Sequence, residues 1–288
     1  MNVKAIIPAA GFGTRMLPFA KSVPKEMLPL VNKPVIQYVV EEAIDAGINE
    51  ILIVLSKGKE AIKEHFSHND KLNELFAKKT FPAELTALEK LSSSVKIEYI
   101  YQPAPRGLGD AVKIAADFAG KSPVAILLGD TVMSSPVTGM LVNKHLLYGG
   151  KSVIALEKVP QEKISSYGIA GGREIDNGFW RLDKLVEKPS IADAPGNLAV
   201  AARYLLTPEI FTELSTIKPG FNGEIQLTDA IANLIKKEEV YGCQISGKRF
   251  DAGTPVGFMT ANIELGLQNP EYKEILKIKL REILDQNN

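Results

Sequence analysis

The 288-residue sequence contains one cysteine, no excess of either charge and no long apolar run. Because Cys243 is the only cysteine, the chain cannot form an internal disulfide, which fits a protein in a reducing compartment. Lysine plus arginine and aspartate plus glutamate number 34 each, so the chain lacks the positive field that would hold nucleic acid or an anionic membrane. No stretch approaches the roughly 20 apolar residues that a membrane helix needs. We therefore expect a cytoplasmic protein that acts on small molecules, without nucleic acid or a membrane as a partner.

Apolar strands alternate with helices along the first half of the chain. The start, "VKAIIPA", is typical of a strand rather than a signal peptide, because it leads directly into a glycine-rich turn. Continuous apolar strands separated by helices predict a parallel sheet that is covered on both faces. We predict strands over 3–9, 50–56, 95–102 and 124–130, and helices over 34–47 and 109–120.

The second half of the chain mixes strands and helices. We predict strands over 151–159 and 198–206, a helix over 224–237, and one or two helices in the last thirty residues. The simplest interpretation is one α/β domain over 1–254, with a helical appendage over 255–288 that belongs to the same domain and could contact another subunit.

The glycine-rich turn after the first strand, "AAGFGTR", matches neither of two common phosphate-binding templates. The dinucleotide fingerprint G-x-G-x-x-G would need a third glycine, and counting from Gly11 and Gly13 that place holds Met16. A Walker A loop would need a Gly-Lys-Ser/Thr run, and none follows. What remains is a turn whose backbone N–H groups could cradle an anion, followed by Arg15, whose planar guanidinium suits a bidentate phosphate contact.

Ligands bind beyond the carboxyl ends of the strands in sheets of this kind, so the loops after strands one, three and four should share one rim. Gln102, after the third strand, could pair with a base edge through one donor and one acceptor. Gly107 would let a flat ring approach the backbone. The alternative is a plain strand-to-helix connection with Gly109 or Asp110 near the helix start.

Asp130 ends the fourth strand and is a natural ligand for magnesium, because Mg²⁺ takes one or two carboxylates and completes its shell with phosphate oxygens and water. A turn or cap role fits its position equally well. Asp251 is a candidate second ligand, although nothing in the sequence brings the two together. Lys21 and Lys25, in the loop after the glycine turn, are either solvated or aimed at a phosphate.

Glu187 and Lys188 precede a proline, which keeps Lys188 extended. Neighbours on a strand point to opposite faces, so the two can serve one ligand only at a bend. The alternative is a solvated charge pair. His65 and His68 lie on a predicted helix without further metal ligands, and we expect both to be solvated.

Several segments together resemble the sugar-1-phosphate nucleotidyltransferases, and among them the bacterial enzymes that join UTP and glucose 1-phosphate. The resemblance rests on "AAGFGTRMLPFAKSVPKEMLPLVNKPVIQYVVEEAIDAGI", "NLAV", "GEIQLTDAI" and "GKRFDAGTPVGF", which occur in the expected order. It spans about residues 3 to 265. The resemblance implies a Rossmann-like mixed, mostly parallel sheet flanked by helices. It also implies direct in-line attack of the sugar phosphate on the α-phosphorus of UTP, giving UDP-glucose and pyrophosphate.

The resemblance also implies a role for individual residues. Phosphate charge would be neutralised by Arg15, Lys25 and Lys188. Mg²⁺ would be carried by Asp130, with Asp251 helping directly or through water. Glucose would be bound by Gly168, Glu187 and Ala201. The nucleotide would be bound by residues of three loops: Ala9, Ala10, Gly11, Gly13, Glu26, Gln102, Gly107 and Leu108. The assembly implied is a homodimer or homotetramer.

One position departs from the family pattern, which has glycine immediately before Arg203, where this chain has Ala202. The sugar therefore stays open, with galactose 1-phosphate as an alternative. The nucleotide stays open to dTTP or CTP for a different reason, because an apolar pocket discriminates one methyl group only weakly. A non-catalytic homologue that binds a UDP-sugar and regulates an enzyme is a second alternative. It should have lost a charge-neutralising residue, whereas Arg15, Lys25, Asp130, Lys188 and Asp251 are all present. A dehydrogenase is disfavoured by Met16.

Overall fold

A nine-stranded mixed sheet forms the centre of the protein, as described by a computed structural model covering residues 2–76 and 82–286. The strands of this part of the chain are β1 Lys4–Pro8, β2 Pro29–Leu30, β3 Lys33–Pro34, β4 Glu50–Leu55, β5 Lys96–Tyr101, β6 Val124–Leu127, β7 Thr131–Met133, β8 Ser152–Lys158, β9 Gly168–Asp176, β10 Phe179–Glu187, β11 Leu198–Leu206, β12 Val240–Gln244 and β13 Arg249–Asp251. The helices are α1 Val35–Asp45, α2 Glu60–His65, α3 Asp70–Phe76, α4 Ala83–Ser94, α5 Leu108–Lys113, α6 Ala116–Ala119, α7 Val137–Leu147, α8 Glu209–Thr216, α9 Leu227–Ile235, α10 Pro255–Gln268 and α11 Lys273–Gln286.

The sheet order is β5-β4-β1-β6-β11-β8-β12-β10-β9. The strands β5, β4, β1 and β6 are parallel, as the sequence predicts. Within this sheet, as far as it is described, β10 and β11 run antiparallel to the other seven strands, so the sheet is mixed and mostly parallel. The predicted α/β fold class is confirmed.

Apolar residues alternate along the strands and form a core on each face of the sheet. One face packs Ile6, Leu52 and Ile126 against α5, α8 and α9. The other face packs Ile7 and Ile53 against α1, α4 and α7. Both sides of the parallel strands are thereby removed from water, which explains their continuous apolar sequence.

Several boundaries differ from the predicted ones. The predicted helix over 109–120 is two helices, α5 and α6, and the predicted helix over 224–237 is shorter, at Leu227–Ile235. The strand predicted over 124–130 ends at Leu127, because the chain leaves the sheet there to form the rim loop. Seven strands were not predicted: β9, β10 and β12 of the central sheet and the short strands β2, β3, β7 and β13.

The last thirty residues form two helices with different surroundings. Phe258, Ala261 and Leu265 of α10 pack against Met16 and Phe250, so α10 is packed on the body of the protein. In contrast, α11 has exposed isoleucines, among them Ile275 and Ile278. The predicted division at residue 254 stays a prediction. In the part of the chain that is described, the helices are too short or too polar to cross a membrane.

Candidate active site

A cleft of about 420 Å³ lies at the carboxyl ends of β1, β5 and β6, where the topology predicts a ligand site. It is lined by residues from all three rim loops. The members of the predicted site that line it are Ala10, Gly11, Gly13, Lys25, Glu26, Gln102, Gly107, Leu108 and Asp130. The structure therefore brings together nearly all of the predicted nucleotide-binding residues.

The glycine-rich turn is shaped so that Lys25 lies against it. Gly13 has a left-handed backbone, with φ of 66°, and leads into a short 3₁₀ turn over Thr14–Met16. A Cβ on Gly13 would lie 3.2 Å from the Lys25 side chain, and one on Gly11 would lie 3.8 Å from Lys25 Nζ. Glycine is therefore needed at Gly13 both for its conformation and for space. The Lys25 ammonium group sits beside the backbone that the sequence predicts to cradle an anion.

Lys25 and Asp130 form a largely buried ion pair, with 2.5 Å between Nζ and Oδ2. Burial alone would lower the pKa of Lys25, but the Asp130 carboxylate raises it above the ordinary 10.5. Burial acts to raise the pKa of Asp130, and the Lys25 ammonium group outweighs it, so this pKa lies below the ordinary 3.8. Both groups are therefore charged at neutral pH.

Asp251 lies beside Asp130, which the sequence could not show. Strand β13 pairs with β7 so that Asp251 is opposite Thr131, and Ala252 N donates to Asp130 O at 3.0 Å. A Cβ placed on Gly253 would meet Asp130 Oδ2 at 2.8 Å, Asp251 Oδ1 at 3.1 Å and an Arg15 guanidinium nitrogen at 3.2 Å. Two carboxylates and a cation therefore converge on one glycine.

The carboxylate oxygens of Asp130 and Asp251 suit a hard divalent cation, which typically takes one or two carboxylates and completes its shell with phosphate and water. Within residues 2–76 and 82–286, no group of three or more His, Cys, Asp and Glu side chains is placed to hold a metal. A metal here would therefore depend on oxygens from a substrate. Arg15 contacts Asp251 at 3.3 Å and is mostly exposed, which leaves the guanidinium accessible to a phosphate.

Glu26 is almost completely buried, and sequence reasoning missed its partner. Lys59 donates to both carboxylate oxygens of Glu26, at 2.8 and 2.9 Å. Burial raises the pKa of Glu26 and lowers the pKa of Lys59, in each case against the attraction of the opposite charge. Because Glu26 follows Lys25 in the chain, the pair fixes the backbone that carries the Lys25 side chain. The sequence gave no indication that Lys59 is buried, because a lysine next to a glycine in the turn before α2 is normally exposed.

Gln102 and Gly107 are part of one tightly connected loop. Gln102 Nε2 donates to Asp110 Oδ2 at 2.8 Å and to Gly107 O at 3.3 Å. Gly107 has φ of 99°, and a Cβ there would lie 2.8 Å from Glu224 Cβ and from Ile225 O. The sequence explained this glycine by the approach of a ring. The structure adds a second reason, the close contact with the chain at residues 224–225.

Gly168, Glu187 and Lys188 lie together, at a bend that lets Glu187 and Lys188 approach one another. The prediction that the following proline keeps Lys188 extended was wrong, because its φ is 43°, and its Nζ lies 3.7 Å from Glu187 Oε1. Gly168 is opposite Glu187 in the β9–β10 pairing. Thr228, which sequence reasoning missed, donates to Glu187 Oε2 at 2.7 Å. Thr228 lies in the first turn of α9, only four residues after Glu224, which lines the cleft. One short segment therefore contacts both the cleft and the group around Glu187.

Ala201 and Ala202 occupy different environments. Ala201 is fully buried in the core on the face of the sheet that packs against α1, α4 and α7. A contact with sugar would therefore involve its backbone. Its role in sugar binding stays a prediction. Ala202 has φ of 58°, a conformation that favours glycine. The family preference for glycine at this position therefore has a backbone explanation.

Arg203 is fully buried and was not predicted to matter. Its guanidinium donates to both oxygens of Glu42, the shortest distance being 2.7 Å, and to Thr131 O at 2.8 Å. Thr131 follows Asp130, so this pair fixes the chain that carries the carboxylate. An arginine within the apolar run "LAVAARYLL" was the available signal.

Comparison with known proteins agrees with this geometry. A family model described as nucleotidyl transferase matches residues 4–266. A UTP–glucose-1-phosphate uridylyltransferase of Streptococcus pyogenes is 44% identical over 295 residues, covering 99% of this chain and 96% of that protein.

Solved structures give the same result. A UDP-glucose pyrophosphorylase complexed with UDP-glucose has a TM-score of 0.85 and 36% identity, over 93% of this chain and 100% of that one. A UTP-bound enzyme of this type from Acinetobacter baumannii has a TM-score of 0.87 and 33% identity, over 98% and 99% of the two chains. The extent of these matches, together with the arrangement of the cleft, leads to one conclusion. The chain belongs to the nucleotidyl transferase family.

Proposed function

We propose that this protein transfers the uridylyl group of UTP to glucose 1-phosphate, forming UDP-glucose and pyrophosphate. The observation that carries the proposal is the convergence of Asp130, Asp251 and Arg15 on Gly253, with Lys25 paired to Asp130 beside a glycine-rich turn. A site built from cations and paired carboxylates suits a triphosphate and a divalent metal. The similarity to proteins named for UTP and glucose 1-phosphate supports the choice of substrates.

The reaction needs no nucleophile from the protein. A phosphate oxygen of glucose 1-phosphate attacks the α-phosphorus of UTP and a new P–O bond forms. The bond from that phosphorus to the oxygen that joins the α- and β-phosphates breaks, so this oxygen leaves as a terminal oxygen of pyrophosphate. Catalysis is then positioning and charge neutralisation. Lys25 contacts the α-phosphate, Arg15 binds the departing β- and γ-phosphates, and Lys188 binds the phosphate of the sugar.

Enzymes of this family typically use a divalent metal ion, and we assign Mg²⁺ to Asp130 and Asp251. Mg²⁺ would supply positive charge to the phosphates between these carboxylates. The base would lie against Gln102, Gly107 and Leu108, with the backbone of residues 9–11 and Gly13 along the nucleotide. Glu187 and Gly168 would bind glucose hydroxyls. Glu26, held by Lys59, would keep the neighbouring Lys25 in position along the nucleotide.

We also propose a cytoplasmic location and a homodimer or homotetramer. The exposed apolar residues of α11 support an assembly contact. The regulatory alternative is less well supported, because Lys25, Asp130 and Asp251 form a connected charged site that binding of a UDP-sugar alone would not require.

The test is pyrophosphate release in the presence of Mg²⁺, with UTP, dTTP, CTP and ATP each combined with glucose-, galactose- and N-acetylglucosamine-1-phosphate. We expect the largest rate with UTP and glucose 1-phosphate, and loss of activity on addition of EDTA. A different preferred pair would overturn the substrate assignment. Binding of UDP-glucose without any turnover would favour the regulatory alternative.

A further inference from the structure

The side-chain amide of Gln102 has only one chemically consistent orientation. Its nitrogen faces Asp110 Oδ2 at 2.8 Å and Gly107 O at 3.3 Å, and a carboxylate and a carbonyl oxygen can only accept hydrogen bonds. An amide nitrogen has two N–H donors, which matches these two acceptors. The reversed amide would place its oxygen against two other oxygens. Both N–H groups of the Gln102 amide are therefore used by Asp110 and Gly107, and neither is available to a ligand.

The amide oxygen of Gln102 is the part of this side chain that is left for a ligand. No donor among the residues described hydrogen-bonds to Gln102 Oε1, yet within the same residues every side-chain polar atom that is sealed from solvent has a partner. Oε1 is therefore accessible, and Gln102 is one of the residues that line the cleft. A ligand at this point meets a hydrogen-bond acceptor.

Asp110 is held firmly enough to impose this orientation. It is buried in the first turn of α5, and Arg106 Nε lies 3.8 Å from the same oxygen that binds Gln102. The loop that joins the two residues is tied to the neighbouring chain, because Ile225 N donates to Arg106 O and Gly109 N donates to Ile225 O, both at 2.8 Å.

We propose that Asp110 is a positioning residue that selects the nucleobase. By fixing the Gln102 amide with its oxygen toward the cleft, it favours pyrimidines that carry an N–H at ring position 3. Uracil and thymine have this donor. Cytosine has an unprotonated nitrogen there, so two acceptors would face each other and both would stay unpaired. This inference deepens the proposed function and rests on it, since it takes Gln102 as the residue that contacts the base.

The test uses Asp110→Asn, which keeps size and shape but offers a donor as well as an acceptor. The Gln102 amide can then reverse, because its oxygen can accept from the new amide, and only the longer 3.3 Å contact with Gly107 O still opposes the reversal. We expect the preference for UTP over CTP, measured as the ratio of kcat/KM values, to fall about tenfold. The preference for UTP over dTTP should stay within about twofold, because thymine presents the same N–H.

Two further measurements separate selection from a structural role. Equal losses for UTP, CTP and dTTP in Asp110→Asn would overturn the inference, because damage to the loop affects all three alike. Gln102→Leu should lose the same UTP-over-CTP preference, and adding Asp110→Asn to it should change that ratio no further. A further change of the ratio in the double variant would contradict the inference, because Asp110 would then affect base selection by some means other than orienting Gln102. If Asp110→Asn does not fold, Asp110→Ser is used in the same comparison.

Binding of UMP, CMP and dTMP to the wild-type protein, measured by calorimetry without metal or sugar, distinguishes this inference from the proposed function. Tighter binding of UMP and dTMP than of CMP supports the base selection even in the absence of turnover. Equal binding of all three overturns it even if UDP-glucose is produced. Absence of pyrophosphate release from UTP and glucose 1-phosphate, in contrast, overturns the proposed function alone.

Discussion

Lys25 and Lys21 lie in the same loop of the chain, but only Lys25 is buried against a carboxylate. Lys21 is exposed, whereas Lys25 lies 2.5 Å from Asp130 beside the glycine turn. Lys25→Met should lower kcat by about 10³-fold, because comparable cationic contacts to a transferring phosphoryl group have effects of that size. Lys21→Met is the matched control and should keep a rate close to that of the wild type. Equal rates in the two variants would remove Lys25 from the site.

Lys59 matters through the charge it neutralises rather than through contact with a substrate. Lys59→Met leaves the buried Glu26 carboxylate without its hydrogen-bonded counter-charge, with only the more remote attraction of Lys25, and should cost about 3 kcal/mol in the free energy of unfolding. Lys57→Met, at an exposed position two residues earlier, should change stability by less than about 0.5 kcal/mol. Urea denaturation measures both. A partial recovery in Lys59→Met with Glu26→Gln is expected, and similar stabilities for Lys59→Met and Lys57→Met would contradict the account.

Strand β11 contains an irregularity between Val200 and Tyr204, where its pairing register with β8 shifts. Ala202, inside it, has a left-handed backbone that costs an L-residue roughly 1–2 kcal/mol. Ala202→Gly removes this strain together with a methyl group, whereas Ala201→Gly removes only the methyl group. We therefore expect Ala202→Gly to be more stable than Ala201→Gly by about 1 kcal/mol or more. Equal thermal unfolding temperatures for the two variants would contradict the explanation.

The elements that could be predicted from the sequence are those whose signal is local. The four parallel strands were recognised from continuous apolar runs, and α1 from its apolar periodicity and its flanking Pro34 and Gly47. The strands β9 and β10 were missed, because their outward-facing residues are charged and their pairing shifts register twice. Irregular strands on a partly solvated sheet edge carry a weaker apolar pattern than buried parallel strands.

The candidate site also contains residues that the sequence identified and contacts that the sequence could not show. Glycines and charges at strand ends identified the residues of the cleft, because topology places those ends on one rim. The contacts of Asp251 with Arg15 and of Glu42 with Arg203 join residues more than 150 positions apart. Such pairs have no sequence spacing to reveal them. Arg203 was missed for this reason, and Lys59 and Thr228 were missed because their partners, 33 and 41 positions away, also lie outside any helix or strand periodicity.

Stability should depend on pH through His65, which is half-buried rather than solvated as the sequence predicts. His65 Nε2 lies 3.0 Å from Gln37 Oε1, and burial lowers the pKa of His65 below the ordinary 6.5, against the attraction of Glu41. The unfolded chain binds a proton at this residue before the folded chain does, so stability is full above about pH 6.5 and declines as the pH falls further. His65→Gln keeps a donor that does not titrate and should flatten the decline between pH 7 and 5. An unchanged slope in urea titrations would exclude His65 as its source.

We expect the uridylyl group to pass directly from UTP to glucose 1-phosphate, because the residues described around the cleft supply charge and position for a single displacement. The most direct test uses one diastereomer of UTP that carries sulfur on the α-phosphorus, together with glucose 1-phosphate, and determines the configuration of the product by ³¹P NMR. A single in-line displacement predicts a UDP-glucose analogue with inverted configuration at that phosphorus. Retention of configuration would require a covalent intermediate on the protein and would contradict the account.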